Sequence, residues 1–218
     1  MCPVSPFRAD GAFLFGVGMS FDVAGWSDLA QRVNAWSMAN FGDQQGLGAL
    51  APLLGLPEEA GELAVAPNEY EIADAHGDTC IFLADYAARS GVDWNMVGSA
   101  KAATFGVDGS FSTPVEMAAR LSTCVGQLCH VQLKRIQKIR GYDVYEFYRV
   151  KQAKAIRDLI AVVDYHLYPY TALSVANQVY ADVVSKRAWH TSPQKPITFD
   201  SAVEGYKGMV GELIWGVA

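Results

Sequence analysis

Glu58, Glu59 and Glu62, followed by Asp74 and Asp78, are the residues whose types and spacing point to chemistry. They stand in Pro57-Glu58-Glu59-Ala60-Gly61-Glu62-Leu63-Ala64 and in Glu71-Ile72-Ala73-Asp74-Ala75-His76-Gly77-Asp78. Both segments read as helical. On a helix, Glu59 and Glu62 (i, i+3) share one face, and so do Asp74 and Asp78 (i, i+4). If the two helices pack together, four carboxylates converge, with almost no Lys or Arg nearby in sequence. Such a cluster is hard to keep ionised and partly buried without a cation. Hard oxygen ligands favour Mg²⁺ or Mn²⁺, and Mg²⁺ sites of this kind usually serve substrate phosphates.

The elements that must position these groups follow from breakers and periodicity. Ser27-Asp28 caps a helix running to about Phe41, with Leu29, Val33, Trp36 and Phe41 at roughly helical spacing. Gly42, Gly46 and Gly48 break it, and the next helix runs from about Pro52 to Val65. Pro57 fits a first-turn position best, which sets Glu58 and Glu59 near a positive helix N-terminus. After Pro67-Asn68 a third helix spans about Glu69–Arg89 and ends at Ser90-Gly91. Gly77, beside Asp78, marks a close approach by a neighbouring helix or a phosphate. Asp93 caps a fourth helix to about Phe105, and Gly106–Ser112 is the best boundary.

Beyond that linker the theme returns. Thr113-Pro114 opens a helix to about Arg140, and others span about Tyr145–Leu167 and Ala172–Trp189. Gly61-Glu62-Leu63-Ala64 overlays Gly126-Gln127-Leu128-Cys129, and Asp78 through Tyr86 overlays Asp158 through Tyr165 with a one-residue gap. Glu58, Glu59 and Glu62 then fall on Thr123, Cys124 and Gln127, and Asp74 falls on Lys154. The expectation is a tandem repeat whose second copy has lost its metal ligands. It divides the chain into an arm (1–26), a first four-helix repeat (27–106), a second repeat (113–190) and a tail (191–218). The tail has room for a short amphipathic helix near Ala202–Trp215.

Composition bounds the function class. Among 218 residues, 51% are hydrophobic, enough to build a full core. The net charge of −6 argues against a dedicated binder of polymeric nucleic acid. The charge is uneven: residues 1–109 carry a net −10 and residues 110–218 a net +4. The first half is therefore the metal half, and the second can offer positive charge to a phosphate or to the acidic half. Cys2, Cys80, Cys124 and Cys129 have neither CxxC spacing nor disulfide density, which fits a reducing, cytoplasmic setting. Cys80 reads as a small buried hydrophobe. No apolar run reaches the length of a membrane span, and Ala12–Met19 lacks a basic flank for a signal peptide.

Glu58-Glu59-x-x-Glu62 followed by Asp74-x-x-Gly77-Asp78 resembles the all-α nucleoside triphosphate pyrophosphohydrolases, the MazG-like group related to dimeric dUTPases. Their pattern is EExxE, a spacer, then ExxD. The flanks are similar too: Trp36-x-x-x-Asn40-Phe41-Gly42 upstream and Ile81-Phe82-Leu83-Ala84-Asp85-Tyr86 downstream. The resemblance covers residues 27–106, with a degenerate echo in the second half. It departs at Ala75, where the family has Glu; Asp74 stands one residue earlier as a replacement.

The resemblance implies an all-α, MazG-like helical bundle that assembles as a dimer or tetramer. It also implies Mg²⁺- or Mn²⁺-dependent hydrolysis of a (d)NTP between its α and β phosphates. Glu59, Glu62 and Asp78 would ligate the metal, with Asp74 as fourth ligand. Glu58 would hold a second ion or orient the attacking water, making Glu58 and Glu59 the catalytic candidates. Lys101 is a candidate for the phosphates, in competition with the basic stretch Lys134, Arg135, Lys138 and Arg140. Trp36, Asn40 and Phe41 are candidates for stacking on and hydrogen-bonding the base. The best substrate guess is a purine, dGTP first. Two rivals stand beside this: a non-catalytic helical interaction protein with an acidic patch, and a metal-dependent phosphatase for another phosphorylated metabolite.

Several residues invite blander readings. Glu69 and Glu71 read as surface charges. Asp85 is a further acid near the site or a helix–helix hydrogen-bonding group. His76 reads as structural or exposed, and His130, His166 and His190 read as isolated, with no zinc spacing. Gly16-Val17-Gly18 lacks the rest of a dinucleotide fingerprint.

Overall fold

Capping, burial and proline placement explain where the helices of the computed structural model begin and end. It describes residues 21–43, 46–103 and 113–187. The helices are α1 (Val23–Phe41), α2 (Leu50–Val65), α3 (Glu69–Ser90), α4 (Trp94–Ser99), α5 (Pro114–Gln137), α6 (Tyr145–Leu167) and α7 (Ala172–Asp182), with a 3₁₀ turn at Val184–Lys186. Among the described residues there is no strand, so the described part of the chain is all-α. No described helix is long and apolar enough to cross a membrane. The predicted linker Gly106–Ser112, the end of the fourth helix at Phe105, His190, and the expected helix near Ala202–Trp215 lie outside the described residues, as does most of the N-terminal arm.

Local chemistry sets most boundaries. Asn68 caps α3 by accepting from the Glu71 amide at 3.0 Å, and Gly91 closes that helix in the left-handed region. Thr113 and Glu116 form a reciprocal capping box at the start of α5. Asp93 caps α4, as its position suggests.

Other boundaries correct the sequence reading. The cap of α1 is Asp22, which accepts from the Gly25 amide at 2.8 Å, so the helix starts before Ser27-Asp28. Pro57 lies inside α2 rather than in its first turn. Its missing N–H is tolerated because Leu53 and Leu56, in the preceding turn, are fixed in the core. Glu58 and Glu59 therefore stand mid-helix, away from any positive helix end. α4 stops at Ser99, and downstream the Ala103 amide donates to Asp158 Oδ1 at 2.7 Å. α5 stops at Gln137, before the expected Arg140. Lys138 turns left-handed (φ 54°), and Arg135 donates to the carbonyls of Tyr142 and Asp143.

The hairpins α2–α3 and α5–α6 pack together through α2 and α5 and, less extensively, through α3 and α6. Leu56, Leu63, Leu83 and Tyr86 from the first meet Leu121, Leu128, Ile156 and Leu159 from the second in one continuous core. Cys80 is fully buried within it. α1 and α7 lie against α3, and α4 bridges α1 and α6. A buried polar knot ties three helices: Gln152 Nε2 donates to the hydroxyls of Tyr86 (2.9 Å) and Tyr148 (2.8 Å), and both hydroxyls donate to Gln132 Oε1. At Gly77 α7 packs tightly on α3, since a Cβ there would stand 2.5 Å from Val179 Cγ2. The close approach that Gly77 signals is thus made by a helix.

Candidate functional site

α2 presents Glu58 and Glu62 to solvent and turns Glu59 inward, 5% exposed. α3 presents Asp74 and Asp78, both half-buried, one turn apart. The five carboxylates act on one another through their charge. Burial, then Asp78, Glu62, Glu58 and Asp74, push the Glu59 carboxyl up to about 8 from an ordinary 4.5. Asp78 is raised to about 6 by burial and Asp74, with Arg187 pulling the other way. Glu59 Oε2 is buried and has no hydrogen-bond partner. An orphaned carboxyl oxygen beside four further acids is what a hard cation would satisfy in place of the proton, so the donors fit Mg²⁺ or Mn²⁺ in kind. Among the described residues, no three His, Cys, Asp or Glu side chains are already gathered into a ligand shell.

α1 carries the three base-binding candidates. Trp36 and Phe41 form an edge-to-face pair with centroids 5.5 Å apart, and Phe41 is 43% exposed. Asn40 Nδ2 donates to the Trp36 carbonyl at 2.9 Å. Trp36 Nε1 donates to the Arg187 carbonyl at 3.0 Å, and the Arg187 side chain is close enough to Asp78 to lower its pKa. Arg187 therefore connects the aromatic pair on α1 with the acids on α3. No sequence signal marks it, because it reaches this place only through the packing of α7 on α3.

The position of α1 is held by Asp85, which resolves its two readings in favour of helix–helix bonding. Asp85 accepts from Asn34 Nδ2 (2.9 Å) and Ser37 Oγ (2.7 Å) and pairs with Arg89 at 2.9 Å, almost completely buried. Lys101 is elsewhere: it lines a depression with Lys151 and Lys154 at the α4–α6 surface. Of the competing basic stretch, Arg135 fastens the loop after α5 and lies over the Tyr148 ring, and Lys134 donates to Gln137.

No protein-family model, curated protein or solved structure matches this chain.

The sequence reading of His166 as isolated is corrected. His166 Nδ1 lies 2.9 Å from His76 Nε2, joining α6 to α3 inside the core. His76 is fully buried, and its Nδ1 lies 2.7 Å from the Ile72 carbonyl. A carbonyl only accepts, so His76 carries its proton on Nδ1, leaving Nε2 to accept from His166 Nδ1–H. Burial keeps both rings neutral, lowering His76 to about 4 and His166 to about 3. His166 Nε2 is then a bare, buried acceptor without a partner. Ninety residues separate the two rings, so no spacing rule brings them together.

Proposed function

We propose that this chain is a MazG-like, Mg²⁺-dependent nucleoside triphosphate pyrophosphohydrolase that converts a (d)NTP to (d)NMP and pyrophosphate. The observation that carries the reading is Glu59: a buried carboxylate with an unpartnered oxygen, its pKa driven to about 8 amid Glu58, Glu62, Asp74 and Asp78. A fold keeps such a group only at a cost in stability, and functional sites are where that cost recurs.

Glu59, Glu62, Asp74 and Asp78 would hold the metal. When bound there, Mg²⁺ would supply charge neutralisation for the triphosphate and acidify an attacking water. Glu58, exposed on the solvent side of α2, accepts the proton of the attacking water. The water oxygen bonds to the α-phosphorus, the bond to the bridging oxygen breaks, and pyrophosphate leaves. Trp36 and Phe41 give the base a surface to stack on, and Arg187 supplies a cation toward the phosphates. The assembly implied is a dimer or tetramer.

The test is product analysis over a panel of (d)NTPs with Mg²⁺, dGTP first, comparing the native chain with Glu59→Gln. The expected result is monophosphate plus pyrophosphate, lost in the variant. Absence of turnover for every nucleotide, with the protein folded and metal present, overturns the reading. Release of single phosphate instead of pyrophosphate would mark a phosphatase.

A further inference from the structure

We propose that the groove formed by α5, α6 and the end of α4 is a second binding site, taking a polyphosphate anion without a metal ion. Two adjoining depressions, of about 440 and 510 Å³, share Lys151 and Lys154 on α6. Lys101 lines the second, and His130, Thr123 and Gln127 line the first. Lys101, Lys151 and Lys154 thus line neighbouring depressions in an otherwise acidic protein.

The charges are available. Lys151 lies over the Phe147 ring at 5.2 Å, and neither Lys151 nor Lys101 has an acidic partner among the described residues. Lys154 pairs with Asp158, but that carboxylate is 8% exposed and its other oxygen is taken by the Ala103 amide. The acid thus belongs to the wall, and the ammonium lines the groove. Thr123 Oγ1 spends its proton on the Ala119 carbonyl, so the neutral donor lining the groove is the Gln127 amide. Point-charge lysines with neutral donors and no surplus carboxylate suit phosphate oxygens and repel cations. The space is also unobstructed: a Cβ built on Gly126 meets nothing within 4 Å. Tyr142 and Met96 add apolar walls that favour a nucleotide over bare pyrophosphate.

The 218-residue chain is titrated by calorimetry in EDTA with ATP, pyrophosphate and adenosine as separate probes. ATP is expected to bind and adenosine not. Affinity should fall at least about tenfold in Lys151→Glu and in Gly126→Phe, whose ring occupies open space, with unchanged melting. Pyrophosphate binding as tightly as ATP assigns the site to free polyphosphate; ATP binding more tightly assigns it to a nucleotide. Either supports the site. Failure of ATP and pyrophosphate to bind without metal, or binding that ignores both variants, overturns it. Glu59→Gln separates the two sites: it should abolish hydrolysis and leave binding in EDTA intact.

Discussion

Leu56, Ala60 and Leu63 on α2 are buried in the same succession as Leu121, Val125 and Leu128 on α5, and Glu59 holds the place that Cys124 holds in the second series. From 53 to 66 and from 118 to 131, buried, half-buried and exposed positions alternate alike, except at Gly55 and Arg120. The partner helices diverge in charge over the same spacing. α3 carries Asp74 and Asp78 one turn apart, and the pKa of Asp78 is raised. α6 carries Lys154 and Asp158 one turn apart, and they form an ion pair. One hairpin has an unmet demand for positive charge; the other satisfies its own acid and has lysines to spare. Similar packing is therefore compatible with opposite surface charge, because the exposed face of each helix is nearly free of the core's demands.

Exchanging single groups tests this contrast. The largest effect is on turnover: Glu59→Gln is expected to reduce (d)NTP hydrolysis by at least about 100-fold, while Cys124→Ser changes it less than about twofold. Steady-state rates on the two variants decide it. Equal losses would mean that the second hairpin shares in the chemistry.

Next are the ion pairs. Arg89→Ala leaves Asp85 buried and unpaired and should cost roughly 3–5 kcal/mol in urea unfolding. Lys154→Ala should cost less, about 1–2 kcal/mol, because Lys154 is 46% exposed and water can replace its ammonium beside Asp158.

The pH dependence of the metal-free protein comes third. Between about 4.5 and 8 the folded chain keeps a proton on Glu59 that the unfolded chain has released, so stability falls as pH rises through that window. The Glu59 share of the loss from pH 5 to 8 should be on the order of 3 kcal/mol, removed in Glu59→Gln, where Asp78 keeps a smaller fall of its own, and offset by Mn²⁺. Thermal melts of both proteins, with and without metal, measure it. A flat difference between the two would remove the electrostatic case for the site. The smallest effect is shared by both hairpins: Gly61 and Gly126 face open space mid-helix, so Gly61→Ala and Gly126→Ala should each stabilise by about 1 kcal/mol.

The all-α architecture was legible because caps and breakers are local: Asn68, Asp93, Thr113 and Gly91 each act within one turn of the chain. Helical periodicity set Asp74 and Asp78 one turn apart on α3, but it did not show that Glu59 turns inward while Glu62 stays at the surface. What escaped depends on distant packing. Pro57 inside α2 is tolerated because of the core beneath it, and the end of α5 is set by Arg135 reaching to Tyr142. Arg187 near Asp78 and His166 against His76 join residues from distant parts of the sequence. Lys101, attractive as the sole lysine of the first half, is carried by α4 to the α6 side.

The two imidazoles between α3 and α6 make the molecule its own gauge. Both rings are neutral, with protons held on Nδ1 by a chain that starts at the Ile72 carbonyl. Their ¹⁵N resonances should therefore report a single tautomer for each ring. Any movement that parts the two hairpins must break that chain and let the His166 proton redistribute between its nitrogens. Spectra recorded with a ligand on either face would show, without any added label, whether one hairpin feels what the other has bound.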